Sequence, residues 1–453
     1  MRTRLSTWLE QLRGTYWLVP GLMLFLATLL SILTIALDDR IWQAGTSAPP
    51  WLLIADPNGA RTFLTTVAGS MITIAGVTFS ITIATFAQAS SQYGPRLLNN
   101  FMRDRGNQVV LGTFVATFVY CLLILRVVRS GNEGNFIPHL SLLTAFGLAI
   151  ASVVVLIYFF HHVSTSIRAE YIIGHIGHDL EAAIERLFPE QLRMSWFEQG
   201  LRSEDDIPAA FSDEARPVPA AASGYLQAID YEALFQIARK RDLLVRLMCR
   251  PGDFISLESP LALIWPPDHI GDELIEAINE AIVIGIQRLG VQDVEYALNQ
   301  LVEIAVRALS PGINDPFTAM QCVDQIGTSL AQLAERRIPR GYHYDDEERL
   351  RLIRDTATFG GILDQGFDQI RQYGRGSAPV TIRQLEALAV IAAHTQNDSQ
   401  REALSRQADL IKSGADETIP AEYDRQAVTT RYAAVMHALR PDAEPKDALP
   451  DAG

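Results

Sequence analysis

The chain has 453 residues, 48% of them hydrophobic and 20% charged, with a formal net charge of -14. That length allows two to four domains, and the acidic balance argues against a nucleic-acid partner, which needs a basic face to neutralise phosphates. The three cysteines, Cys121, Cys249 and Cys322, are odd in number and scattered, so they read as buried reduced thiols rather than as a metal motif.

Much of the apolar excess lies in four runs: Trp17–Leu37, Phe63–Ala89, Val109–Val127 and Leu140–Val163. Each comes near the ~20 residues that cross ~30 Å of hydrocarbon, and each is read as a transmembrane helix. The first follows Arg2, Arg4 and Arg13 as a signal peptide would, but its core is too long and it ends at Asp-Asp-Arg without a small-residue cleavage site, so a retained span is expected. Arg2, Arg4, Arg13, Arg96, Arg103 and Arg105 then fall on one side of the membrane, and Arg40, Arg61, Arg126 and Arg129 on the other. The positive-inside rule favours four spans with both termini cytoplasmic and everything after His162 in the cytosol.

The second span is unusual in composition. Gly69, Thr73, Gly76, Ser80, Ala84, Ala87 and Ser91 recur at steps of 4 and 3, an eleven-residue repeat that keeps one small-residue stripe facing a partner. Thr78, Thr82, Thr85, Ala89 and Gln92 form a second line beside it, with Gln88 also among the polar positions, while Ile72, Phe79, Ile83 and Phe86 form a bulky side. No ionisable residue lies between Phe63 and Gln92, which speaks against a proton relay and leaves an uncharged polar path open. Two readings compete: a seam of small residues for helix packing, or a wall of hydroxyls around water. Residues 63–92 as a helix would reach roughly 45 Å, beyond the hydrocarbon, before Gly94 and Pro95 break it.

Leu97, Leu98, Phe101 and Met102 then share one face and Arg96, Asn99, Asn100 and Arg103 another, with Arg105 where the helix finishes. Residues 96–105 read either as a basic interfacial helix at the cytoplasmic mouth or as a loop helix packed on a soluble domain. His161 and His162 fall at the membrane interface. His175, His178 and Asp179 sit at i, i+3 and i+4 on a helix continuing through 165–200, and no further ligand joins them to make a metal site.

Residues 201–222, with Glu-Asp-Asp and three prolines, read as a linker. Within 223–266, Tyr231–Arg239 suggests a short helix, and Val245–Cys249 and Phe254–Ile264 suggest strands about the Pro251-Gly252-Asp253 turn, so a small β-rich module is expected. Its GDFISLESPLALI stretch resembles the second half of a biotinyl or lipoyl carrier domain. No lysine lies between Lys240 and Lys412, so that resemblance implies the sandwich shape alone. Residues 267–438 carry repeated 3,4 apolar spacing and read as a helical bundle. Inside it RALSPGINDPFTAMQ places Asp315 before Pro316 as an N-cap followed by proline at the first helical position. As pure structure this is a turn; as function, Ser310, Asn314, Asp315 and Thr318 could hold a ligand, an ion or a neighbouring subunit. Residues 439–453 are too poor in apolar side chains to order themselves.

QASSQYGPRLLNNFMRDRGNQ, YFFHHV, GYLQAID, RPGDF with PLALIWP, and ALSPGINDPFTA occur in this order, and together they resemble the predicted bacterial membrane proteins grouped as domain of unknown function 2254. The resemblance covers roughly Trp17 to Ala433. It implies a mainly α membrane protein, four transmembrane helices followed by a cytosolic α+β part, and it supplies no activity or catalytic residues. No GxSxG elbow, Walker loop, HExxH or Cys/His set is present, so no enzyme, cofactor or metal site is expected. Two functions remain: a homo-oligomeric pore passing an unspecified ion, lined by the second span and gated or assembled by the cytosolic part, or a membrane-anchored sensor or scaffold acting through Ser310–Thr318.

Overall fold

Each of the four apolar runs forms one long helix: α1 (Leu18–Gln43), α2 (Pro57–Tyr93), α3 (Arg105–Leu125) and α4 (His139–Ser166). All four are long and apolar enough to cross a membrane. The computed structural model describes residues 17–43, 56–94, 104–129, 136–189, 206–339 and 341–440. The chain divides into two compact units between Tyr171 and Ile172, and each is taken in turn.

In the first unit α3 is the hub. Of its most apolar window 56% is buried, against 22–28% in the other three spans. It packs on α1, α2 and α4. Its Gly112 lets α1 come close, since a Cβ there would stand 2.5 Å from the Met23 sulfur and 3.2 Å from the Pro20 Cα. Ala60, Leu64, Ala68, Tyr120, Ile124 and Leu142 build one core of this bundle, and Met71, Ala75, Leu111, Phe114 and Phe159 another.

Polar ties fix both ends of the bundle. At one end Asp38 of α1 accepts hydrogen bonds from the Leu140 and Ser141 amides (2.9 Å each) and the Ser141 hydroxyl (2.6 Å), capping the start of α4 from another helix. The buried Tyr120 hydroxyl joins Thr34 (3.0 Å) and the Ser141 carbonyl (3.2 Å) beside it. Arg61 of α2 donates to the Val128 carbonyl at that same end. Grouping Arg61 and Arg129 on one side of the membrane therefore agrees with an up-and-down bundle.

α2 runs for 37 residues, about 55 Å at 1.5 Å per residue. Asp56 caps it through the Asn58 amide, Pro57 opens it, and Gly94 ends it at φ 120, a left-handed conformation that glycine tolerates. α4 and the helix after it, α5 (Ala169–Leu187), are separate rather than continuous. Thr165 and Ser166 bond back to the His162 carbonyl just before the break, the local competition by which hydroxyl side chains loosen helix ends.

The second unit holds α6 (Phe211–Glu214), β1 (Arg216–Pro219), β2 (Gly224–Ile229), α7 (Tyr231–Lys240), β3 (Leu244–Leu247), β4 (Phe254–Ile255), β5 (Pro260–Trp265), α8 (Asp272–Glu280) and β6 (Ile282–Gly285). They are followed by α9 (Glu295–Ala308), α10 (Pro316–Ala334), β7 (Tyr342–Tyr344), β8 (Leu350–Ile353), α11 (Phe359–Gly374), α12 (Ala378–Ala392), α13 (Asp398–Thr418) and α14 (Glu422–Ala438). One sheet runs β1-β5-β3-β8-β7, antiparallel except for β3 against β8. The other runs β4-β2-β6 and is antiparallel throughout. Leu226, Leu234, Val245, Ile264, Leu274 and Leu352 share one core across both sheets and their helices.

Three expectations change here. The linker read over 201–222 is structured from Asp206 onward: Phe211 and Val218 are fully buried, and β1 carries its prolines at a sheet edge, where no ladder donor is lost. The expected helix DELIEAINEAIVIGIQRL ends at Glu280, because the β-branched run Ile282-Val283-Ile284 pairs with β2 instead. The β module does not stop at Pro266 but takes β7 and β8 from beyond α10, so the helical bundle of 267–438 is interrupted by three strands. The two strands of the carrier-like stretch, β4 and β5, belong to different sheets.

Candidate functional site

α2 has two opposite faces. Ala60, Leu64, Ala68, Met71, Ala75, Thr78, Thr82, Phe86 and Ala89 are buried. Every member of the small-residue stripe, Gly69, Thr73, Gly76, Ser80, Ala84, Ala87 and Ser91, is exposed, as is Gln88. The pattern predicts one stripe meeting a partner, and the face that meets this chain's own helices is the other one. A Cβ added at Gly69 or Gly76 would touch nothing within 4 Å, so no packing within the chain requires either glycine.

The second polar line divides. Thr78 and Thr82 are each only 3% exposed, with the Thr82 hydroxyl on the Thr78 carbonyl at 2.8 Å, while Thr85 is half-buried. Thr82 therefore belongs to the interior of the four-helix bundle and cannot line a path formed by the opposite face. Of the bulky line, Ile72, Phe79 and Ile83 are exposed and Phe86 is buried.

The hydroxyls on the exposed stripe are internally satisfied. Thr73 donates to Gly69 (2.8 Å), Ser80 to Gly76 (2.9 Å) and Ser91 to Gln88 (2.9 Å). Their protons point along the helix and their lone pairs remain outward. Elsewhere in the unit the exposed surface is aliphatic and aromatic: Leu22, Phe25, Leu29 and Ile32 on α1, and Phe146, Ile150, Val154 and Ile157 on α4. The stripe on α2 thus differs from the surfaces built to meet lipid chains.

Arg96 and Arg103 lie outside the described residues. Arg105 does not end an interfacial helix; it is the first residue of α3, after the N-cap Asp104. Asp104 accepts from the Gly106 amide (2.9 Å) and the Asn107 side chain (3.0 Å) and meets His162 Nε2 of α4 at 2.5 Å. His162 stacks on Tyr158 with ring centres 5.4 Å apart. A Cβ at Gly106 would stand 2.6 Å from the His162 ring. This acid–imidazole pair joins α3 to α4 and was not foreseen as a pair, although both residues fall in singled-out stretches. His175, His178 and Asp179 are exposed on α5, and among the described residues no group of His, Cys, Asp and Glu could hold a metal.

In the Ser310–Thr318 loop, both carboxylate oxygens of Asp315 are taken by Thr318: its amide at 3.2 Å and its hydroxyl at 2.6 Å. Ser310 donates to the Arg307 carbonyl, its carbonyl accepts the Asn314 amide, and Asn314 turns the chain at φ 50. The loop connects α9 to α10 by a tight turn, with Ile313 and Phe317 exposed at its surface.

The family model for DUF2254, described as a predicted membrane protein, matches residues 13–390. The chain belongs to this family. As a DUF2254 protein it is 31% identical over 437 residues to the uncharacterized proteins Rv1290c of Mycobacterium tuberculosis and Mb1321c of Mycobacterium bovis, covering 94% of this chain and 81% of theirs. No solved structure matches it. The DUF2254 assignment accords with the four apolar spans and brings no chemistry to any residue described above.

Proposed function

We propose that the protein is a homo-oligomeric bacterial inner-membrane pore in which copies of α2 turn their small, hydroxylic faces toward a shared polar path. The carrying observation is the opposition of faces: an uncharged Gly/Ser/Thr stripe lies exposed opposite the face that packs on the chain's own helices. Glycine in a helix interior costs about 1 kcal/mol relative to alanine, and a close approach by another copy would offset that cost. Outward lone pairs on Thr73 and Ser80 would replace part of a cation's hydration shell better than an anion's, which makes a monovalent cation the favoured solute. The arginine distribution supports cytoplasmic termini, with the second unit assembling or gating the path.

The test is cation flux into liposomes carrying purified protein, wild type beside Ser80→Leu. Wild-type flux that falls by an order of magnitude in Ser80→Leu supports the pore. Inserted, folded protein that passes no cation under varied voltage, tension and pH overturns it.

A further inference from the structure

The turns between helices in the second unit gather at two ends. At one, a Cβ on Gly374, the last residue of α11, would lie 3.4 Å from Leu309 just past α9, and Thr418 at the end of α13 donates to the Arg375 carbonyl at 2.6 Å. The α9–α10, α11–α12 and α13–α14 turns therefore lie together. At the other end Gln400, in the first turn of α13, donates to the Ala334 carbonyl that closes α10 at 3.0 Å, and Glu335 meets His394 at 2.7 Å.

The two ends differ in what they display. Ile313, Phe317, Tyr373 and Tyr423 stand at the first end with exposures of 42% to 83%. Among the described residues, 335–339, 354–358 and 393–397 at the other end present no exposed large apolar side chain. The Ser310–Thr318 turn is braced from within: the Asn314 amide bonds the Ser310 carbonyl and the Asp315 amide the Ala308 carbonyl, each at 2.8 Å, and Thr318 occupies the Asp315 carboxylate. These polar groups bond inside the turn while Ile313 and Phe317 are left outside it. Apolar side chains clustered on a surface mark a contact with lipid or with protein. Charges nearby pair with one another, Arg371 with Asp368 at 3.0 Å and Arg425 with Glu422, so the feature that sets this end apart is apolar.

Chain connectivity selects lipid. Gly177 of α5 leaves room for the Gln325 side chain of α10, and Arg336, past the end of α10, donates to the Phe188 carbonyl, past the end of α5, at 2.9 Å. Both pairs are 148 residues apart in sequence, so the two helices run side by side in one direction, and α5 starts at the end that holds Ile313 and Phe317. α4 is long and apolar enough to cross a membrane, and two residues separate its Ser166 from Ala169 of α5. The start of α5 is thereby leashed within roughly 10 Å of the end of a membrane span, the reach of three extended residues.

We propose that this end of the second unit docks on the surface of the lipid bilayer, with Ile313 and Phe317 inserted at the boundary between headgroups and acyl chains and Tyr373 and Tyr423 flanking them. Tyrosine suits that boundary, its ring apolar and its hydroxyl wet. The SPGINDPF turn is then a rigid mount for two apolar tips rather than a ligand loop. The docking does not depend on whether α2 lines a path.

The test places an environment-sensitive fluorophore on Ile313→Cys, on Phe317→Cys or, at the opposite end, on Asp398→Cys, each in full-length protein in phosphatidylcholine vesicles. The three native thiols are buried and escape labelling, and the 98% exposed Asp398 side chain makes its replacement harmless to the fold. Lipids carrying a nitroxide near the headgroup should quench the labels at 313 and 317 several-fold more strongly than the label at 398, and more strongly than lipids with the nitroxide at the chain end, because interfacial groups sit only ~5–10 Å deep. Aqueous iodide should show the reverse order among the three positions. Lipid quenching no stronger at 313 and 317 than at 398 overturns the proposal: iodide reaching them then means that they stand in water, and iodide excluded means that a second copy or another protein covers them. The two positions report separately, so a label that disturbs the fold at one leaves the other to decide.

Discussion

Single residues in this protein are held by partners that their neighbours in sequence do not reveal. Arg351 and Asp345, 7% and 4% exposed in their side chains, meet at 2.7 Å inside the β7–β8 hairpin. Burial alone would raise the Asp345 pKa, but the Arg349 and Glu347 amides and the Arg351 guanidinium hold it below the ordinary carboxylate range. A carboxyl whose pKa is lowered by folding contributes stability that is present above its unfolded value, near pH 4, and is lost as pH falls through the folded value. The second unit should therefore unfold more easily on acidification below about pH 4. Asp345→Asn should flatten that dependence in a pH series of thermal melts and cost about 3 kcal/mol at neutral pH, because it leaves the buried Arg351 with Asp242, an exposed carboxylate, as its remaining ion-pair partner. The thiols behave as read from their spacing: all three are free and buried. Burial, with Asp253 adding to it, pushes Cys249 up to about 12, and burial, with Asp315 and Asp324 adding, pushes Cys322 up as well.

At the scale of elements, hydropathy makes the four spans legible, because a backbone in lipid must satisfy its hydrogen bonds within the segment and the apolar run has to be long. β7 and β8 are illegible for the opposite reason. Their stretch, YHYDDEERLRLIRD, looks like a charged surface until Arg351 is seen to be neutralised by Asp345 and by Asp242, a residue from before β3. α2 lies between these cases: its composition announces two polar lines, but which one meets the chain's own helices depends on how α3 and α4 pack. That packing separates two substitutions of like size. Thr82→Leu inserts bulk into a filled interior and should destabilise the purified protein by about 1–3 kcal/mol, whereas Ser80→Leu should leave the monomer's unfolding unchanged. Thermal unfolding in detergent distinguishes them; equal effects would mean that the buried and exposed faces of α2 are wrongly assigned.

For the whole molecule, the division at Tyr171 separates a unit whose surface is mostly hydrocarbon from one with polar-faced helices and two small sheets. The wall of the proposed path is built from the first unit. Gly76 has open space where a Cβ would be, so Gly76→Cys should fold normally. In membranes it should form intermolecular disulfides under mild oxidation, which join Cβ atoms roughly 4 Å apart. Cysteine placed at Ile157, on the exposed aliphatic face of α4, should crosslink far less. Equal crosslinking at both positions, read on a non-reducing gel, would remove the specific role given to the α2 stripe.

Family membership, the four spans, the uncharged second span, the reduced thiols and the Asp315–Pro316 helix start all follow from the sequence by itself. Each is a local property, set by composition over some twenty residues or by the side chain next to a turn. Tertiary structure alone decided that Thr82 is interior while Ser80 is exposed, that Asp38 caps α4, that Asp104 meets His162, and that α5 and α10 start at one end of the second unit. Those facts are contacts between segments 50 or more residues apart, or the burial that such contacts create, and they exist only once the helices and strands have packed.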